Sequence, residues 1–141
     1  MKLEEQLFNI KNEDDFLQTA IQVFQFQYQN NSVYRKFCDL LKTNPEQVNS
    51  LEEIPFLPIE FFKSHLILSS TKKIVETFTS SGTTGNLTSK HVVTDLSLYE
   101  KSFINAFEGF YGPIEEYTTL ALLPAYLERK GSSLIYMANY F

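Results

Sequence analysis

Six small residues at positions 80–85, in the middle of the chain, lie between two apolar, β-branched segments. Four of the six carry hydroxyl groups, and the other two are glycines in a chain that has only five glycines. Glycine adopts backbone torsions closed to other residues, so successive N–H groups can converge on one centre, where the hydroxyls add further donors. This pattern is typical of a loop that binds an anion such as a polyphosphate. The pattern alone leaves a mobile hairpin tip as the alternative.

The spacing of the glycines excludes two common phosphate-binding loops. A Walker-type loop has four residues between its glycines and continues with Gly-Lys-Ser/Thr into a helix. Here two residues separate Gly82 from Gly85, no lysine follows directly, and the next segment, "SKHVVT", predicts a strand. The dinucleotide fingerprint lacks hydroxyls and opens a helix. A helix N-terminus is therefore not expected to hold the anion.

Three other residues, one cysteine and two histidines, are of types that can do chemistry. Cys38, the only cysteine, follows Phe37 on a predicted helix without a nearby histidine, which favours core packing over a nucleophilic role. His65 and His91 lack the spacing of metal ligands, so we expect no metal site built by the protein. No residue is assigned a catalytic role.

The hydrophobic pattern predicts an α/β fold with N-terminal helices followed by strands that alternate with helices. We expect a helical region over residues 1–50 and an α/β region over residues 51–141. Helices are predicted over residues 13–29 and 33–42, briefly from Pro45, from Thr94 or Asp95 to Gly112, and from Ser132 or Ser133. Strands are predicted near residues 66–68, over 72–79 and 90–94, and in the apolar segment 117–124.

The composition limits the kinds of partner and the cellular location that we expect for this protein. The net charge is −5 and lysine and arginine form no cluster, which argues against a nucleic-acid partner. The polar, acidic N-terminus does not resemble a secretory signal, and no apolar run has the roughly twenty residues that a membrane span needs. A single cysteine excludes an internal disulfide framework. These features predict a cytoplasmic protein.

Four segments in this order, "IPFLPIEFFKSH", "TFTSSGTTG", "SLYEKSF" and "LLPAYLERKGSSLIYM", resemble the acyl-protein synthetase (LuxE) family. The loop itself resembles the phosphate-binding loop of the adenylate-forming superfamily, which includes acyl-CoA and phenylacetate–CoA ligases. The resemblance implies that a carboxylic acid, expected to be a fatty acid, is activated with ATP to an acyl-adenylate. The acyl group would then pass to a protein thiol or to coenzyme A, and Mg²⁺ would arrive with ATP.

The resemblance also implies roles for particular residues. ATP phosphates would contact Ser80, Ser81, Gly82, Thr83, Thr84 and Gly85, which form the loop 79–85 together with the residue before them. Thr88 stands where many superfamily members have a lysine, and Lys90 would supply the charge instead. Tyr126 would line the acyl or adenine pocket.

Several superfamily motifs have no match in this sequence, among them the catalytic lysine of the C-terminal domain and the late acyl-accepting cysteine. The resemblance therefore implies the N-terminal portion of an enzyme, inactive by itself and prone to self-association through the surface that the missing portion would cover. The alternative is a catalytically inactive interaction or scaffold domain of the same ancestry.

Overall fold

The computed structural model describes residues 2–80, 88–121 and 131–141 of the chain. These residues form helices and a small two-stranded sheet, which confirms the predicted mixed α/β class. The helices are α1 (Leu3–Leu7), α2 (Glu13–Asn30), α3 (Ser32–Leu40), α4 (Phe61–Ser64), α5 (Leu96–Tyr111), a 3₁₀ turn (Ile114–Glu116) and α6 (Ser133–Tyr140). The strands are β1 (Glu76–Thr79) and β2 (Lys90–Val93). The chain divides into two compact units, Met1–Thr71 and Lys72–Phe141.

In the first unit, α2 and α3 pack against each other around a small aromatic core. Phe24 of α2 meets Tyr34 of α3 edge-on, with 6.1 Å between the ring centroids, and Cys38 and Val48 complete the buried cluster. The side chain of Asn31 caps α3 by accepting a hydrogen bond from the amide of Tyr34 at 3.1 Å. A local cap thus defines the start of α3, while the apolar cluster holds the two helices together.

Two predicted elements of this unit are wrong. The expected helix from Pro45 is a single turn, in which the amide of Gln47 donates to the carbonyl of Asn44 at 3.0 Å. One turn forms without a helix because nucleation is costly and the turn delivers Val48 to the core. The strand expected near residues 66–68 is irregular chain. The segment before it, expected to be irregular and buried, packs Ile54 and Leu57 against the core, but it also forms the short helix α4 and leaves Phe56 80% exposed.

In the second unit, β1 and β2 form an antiparallel hairpin that α5 follows. β1 begins at Glu76 rather than at the predicted residue 72, although the amide of Val75 also bonds to the carbonyl of Val93. The side chain of Asp95 caps α5, and Gly112 ends this helix with φ +88°, as the sequence predicted. Residues 117–121 form no strand, and the remaining part of that predicted strand lies outside the described residues.

Ring contacts run along one side of α5. Phe103 is buried, and Phe107 packs on Tyr117 and Phe141 with centroids 5.3 and 5.2 Å away. Phe110, predicted on the same apolar face, is instead 86% exposed. Among the helices of the described ranges, none has the length and apolar character that crossing a bilayer requires.

Candidate functional site

The β1–β2 hairpin holds together the two ends of the predicted anion-binding loop. Thr79, the last residue of β1, pairs opposite Lys90, the first residue of β2. One position further out, the amide of Ser80 donates to the carbonyl of Ser89 at 3.1 Å, and the amide of Ser89 donates to the hydroxyl of Ser80 at 3.1 Å. Residues 81–87 thus connect the two ends of a closed stem.

Of the predicted site residues, the structure describes Ser80 and Lys90 and brings them to the same end of the hairpin. The others lie outside the described residues, and their roles stay predictions: Ser81, Gly82, Thr83, Thr84, Gly85 and Tyr126.

Lys90 lies on the face of the hairpin away from the aromatic core. Residues directly opposite each other in an antiparallel pair share a face, and neighbours along a strand alternate. Phe78 and His91 are paired on one face, so Thr79 and Lys90 share the other. Phe78 is buried while Lys90 is exposed, which leaves the lysine accessible to an anion in solution.

An aromatic trio, Phe78, Tyr99 and Tyr136, packs β1 against α5 and α6. The ring of Phe78, 7% exposed, lies 5.3 Å from Tyr99 of α5 and 5.7 Å from Tyr136 of α6, and the two tyrosine rings are 5.9 Å apart. Tilted and edge-on ring pairs contribute about 0.5–1.5 kcal/mol each beyond the burial of their area. The trio therefore attaches the strand that leads into the loop to two helices.

Hydrogen bonds from the same tyrosines join α5 to α6. The hydroxyl of Tyr136 donates to the carboxylate of Glu100, and the hydroxyl of Tyr99 donates to the carbonyl of Ser133 at 3.0 Å. The bond to Glu100, followed by burial, raises the pKa of Tyr136 to about 12. At neutral pH the phenol is protonated and remains a donor.

A second contact on β1 was not predicted from the sequence. The amide of Thr79 donates to the carbonyl of Gly131 at 2.8 Å, so the segment before α6 reaches the root of the loop. Two of the four segments that carry the family resemblance therefore meet at this point. The sequence feature that could have indicated this contact was Gly131, one of the five glycines of the chain, directly before Ser132, which caps α6.

The surroundings of Cys38 and His65 indicate structural roles for both side chains. The Cys38 side chain is 0% exposed, and burial raises the pKa of its thiol, which confirms the predicted core position. His65 stacks on Phe61 at 5.1 Å, and its Nδ1 lies 2.8 Å from the hydroxyl of Ser64. Within the described ranges, no group of three His, Cys, Asp or Glu side chains is placed to hold a metal ion.

A cavity of about 450 Å³ lies between α1 and α2, in the unit that does not contain the hairpin. Gln6, Asn9, Lys11 and Asp15 are among the residues that line it. The Oε1 atom of Gln6 is buried there without a partner among the described residues. None of the predicted site residues contributes to this cavity, so its position does not support the phosphate-binding hypothesis.

Comparison with known sequences defines the class of protein. The sequence model of the family described as "Acyl-protein synthetase, LuxE" matches residues 5–104, which is more than half of the chain and includes the hairpin and residues 80–85. The chain therefore belongs to the LuxE acyl-protein synthetase family.

Two curated relatives carry the same printed name, long-chain-fatty-acid–luciferin-component ligase. The chain is 43% identical over 63 residues to the protein from Vibrio harveyi, covering 44% of this chain and 16% of that relative. It is 32% identical over 67 residues to the protein from Photorhabdus luminescens, covering 47% of this chain and 57% of that relative. The matches thus span less than two thirds of either relative. No solved structure matches the chain.

Proposed function

We propose that this chain supplies the ATP phosphate-binding part of an acyl-activating enzyme of the adenylate-forming superfamily. The observation that carries the proposal is the family match over residues 5–104, because it contains the Ser/Thr/Gly loop 80–85 and Lys90. Both curated relatives are named as ligases of a long-chain fatty acid. The proposed substrate is accordingly a long-chain carboxylic acid.

The chemistry of the proposed site suits a triphosphate. Hydroxyl and amide donors from a glycine-containing loop would provide short hydrogen bonds, and the exposed Lys90 would provide one positive charge. The closed stem, with β1 held by the aromatic trio, would reduce the entropy lost when the loop closes on its ligand. Mg²⁺ entering with the nucleotide would neutralise part of the phosphate charge.

The proposed reaction has two steps that the full enzyme would carry out. A carboxylate oxygen attacks the α-phosphorus of ATP in line, forming the acyl-adenylate while the bond to pyrophosphate breaks. A thiolate then attacks the acyl carbonyl carbon, a thioester forms, and AMP leaves. The loop and Lys90 would act in the first step by stabilising negative charge on the departing pyrophosphate.

Cys38 is not the proposed acyl acceptor. Its side chain is fully buried in the core between α2 and α3, and burial raises the pKa of the thiol. A nucleophilic cysteine needs access to the adenylate and a thiolate at neutral pH. The acceptor would be another protein thiol or coenzyme A.

Exchange of labelled pyrophosphate into ATP in the presence of a long-chain fatty acid tests this proposal. The expected result is acid-dependent exchange by the protein that carries this chain. Lys90→Ala should raise the KM for ATP about tenfold, since one charge-assisted contact is worth about 1.5 kcal/mol, whereas Lys90→Arg should retain most of the affinity. Lys36→Ala, at an exposed position of α3, is the matched control. No exchange by the well-folded protein would contradict the proposal.

A second function, a non-catalytic interaction domain, is favoured by the exposed apolar side chains of the second unit. Phe110 is 86% exposed and Leu120 is 89% exposed. Such side chains promote association with another copy or with a partner. If this function holds, sedimentation should show concentration-dependent self-association that Phe110→Asp weakens, while exchange activity is absent. A clean monomer at high concentration would contradict self-association.

A further inference from the structure

Gly131 touches β1 on the edge that β2 leaves open. The amide of Ser80 points to β2, because it donates to the carbonyl of Ser89. Successive amides of a strand point to opposite sides, so the amide of Thr79 points away from β2. It donates to the carbonyl of Gly131 at 2.8 Å. The end of the strand is thus held on both sides, by Ser80 bonding to Ser89 and by Thr79 bonding to Gly131.

Only glycine fits this contact without a shift of the backbone. Gly131 has φ +85°, a torsion that side chains rarely tolerate. A Cβ atom at this position would lie 3.0 Å from the carbonyl oxygen of Thr77 and 3.3 Å from Oγ1 of Thr79. Because the first of these atoms belongs to a strand backbone, the clash cannot be relieved by rotating a side chain. The segment would have to move away from β1 by a few tenths of an ångström.

The chain on the C-terminal side of Gly131 is firmly anchored. Ser132 caps α6 by accepting a hydrogen bond from the amide of Ile135 at 3.3 Å, and Ile135 is buried. Tyr136 of the same helix packs on Phe78 and bonds to Glu100 of α5. Gly131 therefore joins a fixed helix to the last residue of β1.

From this geometry we infer that Gly131 is a positioning residue for the loop at residues 80–85. It acts through Thr79, whose amide it holds, and sets the point from which the loop departs. The functional part of this inference rests on the proposed ATP-binding role of the loop. The contact itself is a property of the hairpin and can be measured without ATP.

The test compares Gly131 with a second glycine of positive φ. Gly131 and Gly112 both have a positive φ, but a Cβ at Gly112 would have no heavy atom within 4 Å. Alanine at either position is strained because φ is positive, and only alanine at 131 would also lie too close to β1. The Gly112 backbone, at φ +88° and ψ −171°, lies in a region that essentially only glycine adopts, so Gly112→Ala and Gly112→Asn impose backbone strain without the close contact, whereas Gly131→Ala and Gly131→Asn add that contact.

Two readouts are needed on the full chain. Amide hydrogen exchange at Thr79 reports the contact, and titration with Mg-ATP reports the proposed function. We expect protection of Thr79 in the wild-type protein, exchange about tenfold faster in both Gly131 variants, and ATP affinity reduced about tenfold, consistent with the loss of one hydrogen bond. The Gly112 variants should match the wild type in both respects.

Failure of the contact, of the positioning role and of the proposed function would each give a different result. Equal Thr79 protection in the Gly131 and Gly112 variants would overturn the inference, as would an unprotected Thr79 amide in the wild-type protein. The wild-type measurement decides whether the contact between Thr79 and Gly131 exists, even if the Gly131 variants do not fold. Changed Thr79 protection with unchanged ATP affinity would overturn the positioning role. Absence of ATP binding to the well-folded wild type would instead overturn the proposed function.

Discussion

The hydroxyl of Ser80 accepts a hydrogen bond from the amide of Ser89 at 3.1 Å, while the amide of Ser80 donates to the carbonyl of Ser89 at the same distance. A side-chain oxygen thus forms one of the two bonds that close the hairpin just before residues 81–87. The first serine of the predicted phosphate loop is therefore part of the stem. Its hydroxyl orders the backbone from which the other predicted phosphate-binding residues follow.

We predict that Ser80→Ala lowers the free energy of unfolding by about 1 kcal/mol, because the amide of Ser89 loses its acceptor. Urea unfolding measures this change. Ser89→Ala is the matched control, since both bonds of the pair use only the backbone of residue 89, and it should change the stability by less than about 0.5 kcal/mol. Equal effects of the two substitutions would show that the Ser80 hydroxyl does not close the stem.

We predict a larger loss of stability for Asn31→Ala. Asn31 is 2% exposed, caps α3 through the amide of Tyr34, and donates to the hydroxyl of Ser69 at 3.3 Å. Losing a buried cap and a buried donor should lower the free energy of unfolding by about 2 kcal/mol, measured by urea unfolding.

Asn30→Ala is the control for Asn31→Ala. The Asn30 side chain is exposed and donates to the carbonyl of Phe26 within α2, so this substitution should cost less than about 0.5 kcal/mol. If both substitutions cost the same, the Asn31 cap is not an important source of stability.

Features set by neighbouring residues were predictable from the sequence. Short patterns limited the two caps to Thr94 or Asp95 and to Ser132 or Ser133, and they placed the stop at Gly112. The structure selects Asp95 and Ser132 and confirms the stop. Local signals were insufficient where packing decided the outcome. Asn44 and Pro45 mark the start of a helix, yet only one turn forms, because Val48 enters the core.

Features set by residues far apart in sequence were not predictable. The bond from Thr79 to Gly131 and the ring contact of Phe78 with Tyr136 join positions more than fifty residues apart. Hydrophobic periodicity does not specify such pairs.

We predict that the stabilising effect of Tyr136 decreases at high pH. The folded-state pKa of about 12 lies above the ordinary value of 10.0, so the unfolded chain releases this proton first as the pH rises. The contribution is therefore complete below pH 10 and is lost as the pH approaches 12. Urea unfolding of the wild type and Tyr136→Phe across this range should show a difference that shrinks with pH.

Glu100→Gln is the matched variant for these urea-unfolding measurements across the pH range. Glutamine keeps a side-chain oxygen near the phenol but removes the negative charge, so the pKa of Tyr136 should fall towards its ordinary value. The pH dependence should then be weaker than in the wild type. A stability difference between wild type and Tyr136→Phe that stays constant from pH 10 to 12 would contradict the role of the Glu100 bond.

We predict that the thiol of Cys38 is protected in the folded protein. Because the side chain is 0% exposed and its pKa is raised by burial, alkylation by iodoacetamide should be at least about 100-fold slower in buffer than in denaturant. Cys38 is the only cysteine, so the reaction in denaturant gives the full signal for the same group. Rapid stoichiometric labelling of the folded chain would place the thiol at the surface and reopen a role as acyl acceptor.

The central claim is that the loop at residues 80–85 binds the phosphates of ATP during activation of a fatty acid. The most direct test is acid-dependent exchange of labelled pyrophosphate into ATP by the complete protein with Thr84→Ala, using Thr118→Ala at an exposed position as the control. We predict that Thr84→Ala reduces the exchange rate at least about tenfold through lost charge stabilisation, and that Thr118→Ala leaves it unchanged. An unchanged exchange rate in well-folded Thr84→Ala protein would contradict the claim.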